Sequence, residues 1–244
     1  MTVAVLPAAG AATRLDGVMK ELLPVVFRRS ERGLLPVPAL VHALETVAGA
    51  GLTRAIVVVS PGKLDLVRTL ADGAALGLEL CWVVQPAPSG LTDAVVRALR
   101  WTGGERAVLM LPDALFDPTD ALRRVAEHPA EVTLAVFPTD RPAELGPVEL
   151  DGERVTRVLD KPSGSCPANT WGLVGMGARF QEWLAARVAS EPALGRLSAG
   201  LHVNEAVSQG FDVRGLAFGS GSYRDLGTPR GLEDWVLSER PDRG

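Results

Sequence analysis

The chain has 244 residues, 47% of them hydrophobic, which is enough to bury the core of one large α/β domain or two small ones. Its net charge of −4 argues against a nucleic-acid polymer as partner, because proteins that bind such polymers usually present a basic face. The two cysteines, Cys81 and Cys166, are too few for a disulfide framework or a zinc site, which favours a reducing compartment.

The N-terminus contains neither a basic segment nor a long apolar run, so we expect no signal peptide. The sequence also has no uninterrupted run of about 18 apolar residues, which is the minimum for a transmembrane helix. We therefore expect a soluble, cytoplasmic protein that does not bind membranes.

Short apolar runs, often β-branched, alternate along the chain with segments of helical periodicity. The runs predict strands at residues 3–6, 55–59, 78–84, 107–111, 132–137, 155–159, 172–176 and 213–218. The other segments predict helices at residues 37–50, 63–76, 91–100, 119–127, 179–190, 204–209 and 230–238. This alternation predicts an α/β fold, a Rossmann-like three-layer sandwich with a mostly parallel, mixed central sheet.

No change in composition marks a linker, so the sequence predicts a single domain over residues 1–239 and a frayed tail at 240–244. Residues 27–36 are polar and basic and are interpreted as a surface loop. Sheets of this type bind ligands at the carboxyl ends of their strands. The residues that directly follow each strand are therefore the candidates for a functional site.

Lysine is rare in this chain, because nearly all of the 25 basic residues are arginine. A lysine in such a background suggests a need for a compact point charge. Lys20 and Lys161 lie in segments that carry other motifs. Lys63 has no such context, and we interpret it as an ordinary surface residue.

The first predicted strand runs into a turn of small residues that begins at Pro7 and ends at Thr13. Small side chains let backbone N–H groups approach a phosphate closely. The turn matches neither the G-x-x-x-x-G-K-[ST] nor the G-x-G-x-x-G phosphate loop. Arg14 follows directly and Lys20 comes six residues later, so amides, a guanidinium and an ammonium could together hold a triphosphate.

This turn, followed by Lys20-Glu21-Leu22-Leu23-Pro24, resembles the signature of the sugar-1-phosphate nucleotidyltransferases, which include the glucose-1-phosphate thymidylyl- and uridylyltransferases. Five more segments resemble motifs of that family and occur in the family's order. They lie at residues 85–94, 111–116, 160–162, 169–173 and 224–229. The resemblance therefore extends over nearly the whole chain.

The resemblance implies an enzyme that uses Mg²⁺ to transfer a nucleotidyl group from a nucleoside triphosphate to a sugar-1-phosphate, releasing pyrophosphate. The attacking phosphate oxygen is already an anion, so the reaction needs alignment and charge neutralisation, and no general base. Its implied partners are the triphosphate and a small phosphorylated acceptor. A homodimer is left open.

The resemblance also implies roles for individual residues. Asp113 and Asp225 would bind Mg²⁺, which prefers a few carboxylates together with phosphate oxygens. Arg14 and Lys20 would be catalytic, stabilising the charge that develops on pyrophosphate. The nucleotide would contact Ala8, Ala9, Gly10, Ala11, Ala12, Thr13, Gln85 and Gly90, and the acceptor would contact Asp160, Lys161, Asn169 and Gly172.

The sequence departs from the family pattern in ways that leave three interpretations. Ala9 and Ala12 stand where glycine is common, and the short spacing from Arg14 to Lys20 resembles cytidylyltransferases that act on small alcohol phosphates. The chain could be a sugar-phosphate nucleotidyltransferase, an enzyme of the same chemistry with an alcohol phosphate, cyclitol phosphate or phosphonate acceptor, or a non-catalytic regulatory paralogue. Thymidine or uridine is slightly favoured as the nucleoside.

Overall fold

The computed structural model describes residues 1–11, 15–31 and 33–238. Its strands are β1 (Thr2–Pro7), β2 (Pro24–Ser30), β3 (Gly33–Pro38), β4 (Arg54–Val59), β5 (Glu79–Val84), β6 (Arg106–Met110), β7 (Ala114–Asp117), β8 (Val132–Pro138), β9 (Val148–Asp151), β10 (Arg154–Val158), β11 (Asn169–Met176), β12 (Val213–Ala217) and β13 (Ser222–Asp225). Its α-helices are α1 (Ala39–Gly49), α2 (Leu64–Leu70), α3 (Leu91–Leu99), α4 (Ala121–Glu127), α5 (Ala178–Ser190), α6 (Ala199–Ser208) and α7 (Pro229–Ser238).

Within the described residues, nine strands form one mixed sheet in the order β5-β4-β1-β6-β11-β8-β12-β10-β9. Strands β5, β4, β1 and β6 run parallel to each other, and β8 runs parallel to β12. The remaining neighbours pair antiparallel. The predicted α/β class and mixed central sheet are confirmed.

Helices cover both faces of this sheet, which gives the predicted three layers. Successive residues of a strand point to opposite faces, so Val3 and Val5 pack with α3, α5 and α6. Ala4 and Leu6 pack on the other face with α1, α2 and α4. Each fully buried Val or Leu side chain contributes about 1.5–3 kcal/mol, so the apolar runs in the sequence account for the core.

The structure corrects several predicted boundaries. In the segment 27–36, interpreted as a surface loop, residues 27–30 and 33–36 belong to the antiparallel strands β2 and β3. The helix predicted at 63–76 ends at Leu70, and the one predicted at 204–209 begins at Ala199. The short strands β7, β9 and β13 were not predicted. The proposed frayed tail at 240–244 lies outside the described residues.

No helix in the described part of the chain combines the length and the apolar character that a bilayer crossing requires.

Candidate active site

A cleft of about 1390 Å³ opens at the edge of the sheet where β1, β5, β6 and β8 end. Its walls come from the turn after β1, the segment that begins at Gln85, the turn after β6, the loop after β8 and the strand β13. These strands point the same way, so the segments that follow them meet at one edge, as the general rule for such sheets predicts.

Asp113 and Asp225 meet in this cleft although 112 positions separate them. The chain turns tightly after β6, with the Ala114 N–H donating to the Leu111 carbonyl at 3.1 Å, and so enters β7. Strand β7 pairs antiparallel with β13 in a register that sets Asp225 opposite Ala114, next to Asp113. The Leu226 N–H donates to the Asp113 carbonyl at 2.9 Å and closes this junction.

The ammonium of Lys20 forms an ion pair with the Asp113 carboxylate. Gly227 lies against the same group, because a β-carbon on this residue would touch Asp113 Oδ2 and would lie 2.9 Å from Asp225 Oδ1 and 3.2 Å from Lys20 Nζ. The missing side chain therefore keeps open a small space that both carboxylates border.

This space fits a magnesium ion by the chemistry of its donors. Carboxylate oxygens are the protein ligands that Mg²⁺ prefers, and it commonly completes its coordination with substrate phosphates and water. In the described ranges no group of three or more His, Cys, Asp or Glu side chains could hold a metal. A metal held by Asp113 and Asp225 would therefore depend on oxygens supplied by the substrate.

Part of the small-residue turn lines the cleft. Ala9, Gly10 and Ala11 face it, whereas Ala8 is buried behind them and its N–H donates to the Val58 carbonyl at 2.7 Å. The amide of Ala8 is therefore engaged within the protein. Of the other predicted contacts, Ala12, Thr13 and the catalytic candidate Arg14 lie outside the described residues.

The predicted base-reading segment forms one wall of the cleft. Gln85 is buried there, and its Nε2 donates to the Gly90 carbonyl at 3.0 Å and to Asp93 Oδ2 at 2.7 Å. Both neighbours accept hydrogen bonds, so the orientation of the amide is determined. Gly90 has a φ of 102°, and a β-carbon there would lie 2.5 Å from the Gly195 carbonyl oxygen. Only glycine fits this position.

Asp93, which the sequence did not single out, fixes the orientation of Gln85. Its carboxylate also accepts a hydrogen bond from Arg97 Nε at 2.7 Å. Burial raises the pKa of the Asp93 carboxyl, but the hydrogen bonds from Arg97 and Gln85 outweigh burial and hold the pKa below its ordinary value. Asp93 is therefore ionised at neutral pH.

The structure brings only one of the four predicted acceptor residues to the cleft. Lys161 lines it, with a left-handed backbone (φ 46°) and an N–H that donates to the Leu145 carbonyl at 3.0 Å. Asp160 is exposed and lies outside the lining. The amide of Asn169 is bound on both sides by the Val148 backbone, at 2.7 and 3.0 Å.

Gly172, the fourth predicted acceptor residue, lies behind the cleft wall. A β-carbon on it would collide with the rings of Tyr223, at 2.6 Å, and Phe137, at 3.0 Å. Gly172 thus makes room for Tyr223, which does line the cleft. Burial raises the pKa of the Tyr223 phenol well above its ordinary value, and the carboxylates of Asp225 and Asp113 raise it further. The phenol is therefore neutral.

Sequence reasoning missed Tyr223 and a group of charged residues at the mouth of the cleft. Tyr223 could have been noticed as the only tyrosine of the chain, two positions before Asp225 and so on the same face of its strand. No sequence signal joins the charged residues of the loop after β8 to those of α7. Arg141 pairs with Asp234 at 2.9 Å, and Glu144 pairs with Arg230 at 3.2 Å.

The prediction that Lys63 is a surface residue is wrong. Its ammonium is buried and donates to both carboxylate oxygens of Glu21 and to the Ala8 carbonyl. A buried lysine requires such acceptors, because desolvation of an unpaired charge is very unfavourable. The error arose because nothing in the sequence around Lys63 indicates a partner at position 21. Lys63 follows a Pro-Gly turn and precedes an apolar residue, and neither feature implies a buried charge.

Similar proteins are known. The chain is 28% identical over 178 residues to a glucose-1-phosphate thymidylyltransferase of Neisseria meningitidis, a match covering 69% of this chain and 58% of that protein. It is also 28% identical over 230 residues to the Streptomyces antibioticus protein of the same name, covering 90% of this chain and 61% of that one. The matches thus span about three fifths of these relatives' length.

Solved structures share the fold. A Bacillus anthracis protein, provisionally assigned as a glucose-1-phosphate thymidylyltransferase and solved with sucrose, has a TM-score of 0.83 at 19% identity, with 100% of this chain and 98% of that chain covered. The inositol-1-phosphate CTP transferase from T. maritima has a TM-score of 0.76 at 22% identity, with 99% and 96% covered. At these identities the likeness concerns the fold alone. The family model described as nucleotidyl transferase, however, matches residues 3–235. The chain therefore belongs to the nucleotidyl transferase family.

Proposed function

We propose that this chain is a magnesium-dependent nucleotidyltransferase that joins a nucleoside triphosphate to a small phosphorylated acceptor, most readily a sugar-1-phosphate, and releases pyrophosphate. The observation that carries the proposal is the convergence of Asp113, Asp225 and Lys20 around Gly227 in a cleft that also contains Lys161. Two carboxylates and two ammonium groups at one strand edge suit a reaction between two polyanions.

In this reaction an oxygen of the acceptor phosphate forms a bond to the α-phosphorus, and the bond from that phosphorus to the pyrophosphate oxygen breaks. Lys161 would hold the acceptor phosphate in line, and Lys20 would stabilise the charge on the departing pyrophosphate. A magnesium ion on Asp113 and Asp225 would supply neutralisation of phosphate charge. The acceptor attacks as an anion, so no residue need remove a proton.

Gln85 supports a preference for a base with an imide-type N–H. Both hydrogens of its Nε2 are donated within the protein, so Oε1 is the atom of this amide that can meet a nucleobase. An acceptor suits the N3–H of thymine or uracil and the N1–H of guanine. The corresponding ring nitrogen of cytosine or adenine is itself an acceptor, so we rank dTTP, UTP and GTP above CTP and ATP.

A non-sugar acceptor is the second candidate, and one observation favours it. Asp160 and Asn169, the polar side chains predicted to meet the acceptor, do not line the cleft, and the side chain of Asn169 is already occupied. A simple alcohol phosphate has fewer hydroxyl groups than a sugar phosphate and so needs fewer contacts of that kind. The T. maritima protein of similar fold is described as acting on an inositol phosphate with CTP.

The test is a pyrophosphate-release assay with Mg²⁺ that crosses five nucleoside triphosphates with hexose-1-phosphates, cyclitol phosphates, alcohol phosphates and phosphonates. Turnover with a hexose-1-phosphate that EDTA abolishes supports the first candidate, and turnover only with another acceptor supports the second. Absence of both turnover and triphosphate binding would contradict the proposal and favour a non-catalytic paralogue.

Both cysteines are free, which supports a reducing, cytoplasmic location.

A further inference from the structure

Lys63 occupies a position that its neighbours in sequence do not explain. Its side chain is 8% exposed and that of Glu21 is 0% exposed. Lys63 Nζ donates to Glu21 Oε1 at 2.7 Å, to Glu21 Oε2 at 2.8 Å and to the Ala8 carbonyl oxygen at 2.9 Å. An ammonium has three hydrogens to donate. The three contacts therefore satisfy the group completely, and it has nothing left for a substrate.

The two acceptors belong to the two segments that face the phosphates in the proposed reaction. Ala8 directly precedes Ala9, Gly10 and Ala11, which line the cleft. Glu21 directly follows Lys20, whose ammonium contacts the Asp113 carboxylate. Lys63 itself directly precedes α2 in the segment after β4, so one ammonium connects this segment with two separate parts of the connection between β1 and β2.

Stability alone is a poor reason for this arrangement. A buried ion pair is often replaceable by apolar residues of similar volume without loss of stability, because desolvation of two charges offsets their attraction. Hydrogen bonds to charged groups are short and directional, however, and they hold backbone segments in place. A displacement of about 1 Å at a reacting centre can cost about 100-fold in rate.

We propose that Lys63 is a positioning residue for nucleotidyl transfer. Through Glu21 it holds the segment that presents Lys20, and through the Ala8 carbonyl it holds the turn that faces the triphosphate. Lys63 touches no substrate and acts through these two contacts. This inference rests on the proposed function for its effect on turnover, but its structural part is testable without activity.

The experiment replaces the pair by apolar residues, Lys63→Met with Glu21→Leu, so that no buried charge is left unpaired. The control is Arg54→Met with Glu105→Leu, which removes a partly exposed ion pair of 2.7 Å at the opposite edge of the sheet, where β4 and β6 begin. We expect both double variants to fold. The first should lose about 100-fold in kcat with an acceptor KM within about threefold of the parent, and the control should keep the parental kcat.

Hydrogen exchange provides the readout that does not need turnover. The amides of Leu22 and Leu23 donate to the carbonyls of Met19 and Lys20, and that of Ala8 donates to Val58. In the Lys63→Met/Glu21→Leu variant these three amides should exchange at least about tenfold faster, while those of the central strands keep their protection. If the parent proves inactive with every substrate pair, the proposed function fails and this readout still decides the positioning role.

Two results would overturn the inference. Parental kcat together with parental exchange at these amides would make the pair a replaceable part of the core. An equal loss of protection throughout the sheet would make it a general stabiliser. If the double variant does not fold, Glu21→Asp takes its place, because it keeps the opposite charge for Lys63 and shortens the reach of the carboxylate by one methylene group. It should retain kcat within about tenfold, and a kcat as low as that of Lys20→Ala would contradict the positioning role.

Discussion

Gly227→Ala tests whether the space between the two aspartates is essential. The added β-carbon would overlap Asp113 Oδ2 and would lie 2.9 Å from Asp225 Oδ1 and 3.2 Å from Lys20 Nζ. Carbon and oxygen atoms need about 3.4 Å, so the Asp113 carboxylate would have to move by about 1 Å. Gly227 does not have a positive φ, so alanine suits its backbone and the effect should be confined to the carboxylates.

A 1 Å displacement of a group at the reacting centre costs about 100-fold in rate, so kcat/KM of Gly227→Ala should fall by about that factor. Pyrophosphate release would be measured over a series of Mg²⁺ concentrations, and half-saturation should move to higher Mg²⁺. The control is Gly219→Ala, since nothing lies within 4 Å of a β-carbon there. A Gly227→Ala enzyme with the parental rate and Mg²⁺ dependence would refute the assignment of this space to the metal.

Three further predictions concern the side chains around the cleft. Lys20→Ala should lower kcat by about 10²–10³-fold in the same assay, and a change in KM alone would make it a binding residue. Lys161→Ala should raise mainly the acceptor KM, and an effect on the triphosphate alone would contradict its role. Asp93→Ala should raise the triphosphate KM about tenfold, because Gln85 loses a hydrogen-bond partner. Since Gln85 and Arg97 hold the Asp93 pKa below its ordinary value, its contribution should persist at neutral pH and disappear only as the pH falls through that lowered pKa. The triphosphate KM of both enzymes would be measured between pH 8 and pH 6. A KM that rises on acidification in the parent enzyme but not in Asp93→Ala would contradict the lowered pKa.

The regular part of the fold follows from local patterns in the sequence. Each of the eight predicted apolar runs overlaps a strand of the sheet, and the helical periodicities place α1, α3, α4, α5 and α7 within two residues at each end. These segments are long and strongly patterned, so burial of their apolar faces leaves little choice of structure. The hairpin β2–β3 was not predicted, because its charged residues and prolines are typical of a loop. Only the pairing of the two strands identifies them as β-structure, and that pairing is not visible in the sequence.

Most of the motif residues that were predicted from the sequence to lie near strand ends do line the candidate cleft. Gln85, Gly90 and Asp113 line the cleft, as expected for residues in the segments that follow the parallel strands β5 and β6, and Lys20 and Asp225 line it as well. Their proposed roles stay predictions. Asp160 and Asn169 do not line the cleft, although their chain neighbours Lys161, Ala168 and Thr170 do. A motif specifies the segment that reaches a site but not the direction of each side chain.

The sequence by itself determined the class of fold, the core strands and the edge of the sheet at which the candidate site lies, since these depend on apolar periodicity and chain order. Only the tertiary structure decided which side chains meet. The register of β7 with β13 brings Asp225 next to Asp113, and burial joins Lys63 to Glu21. Such contacts depend on pairing between distant segments and on the need of each buried charge for a partner, and neither is visible in local sequence.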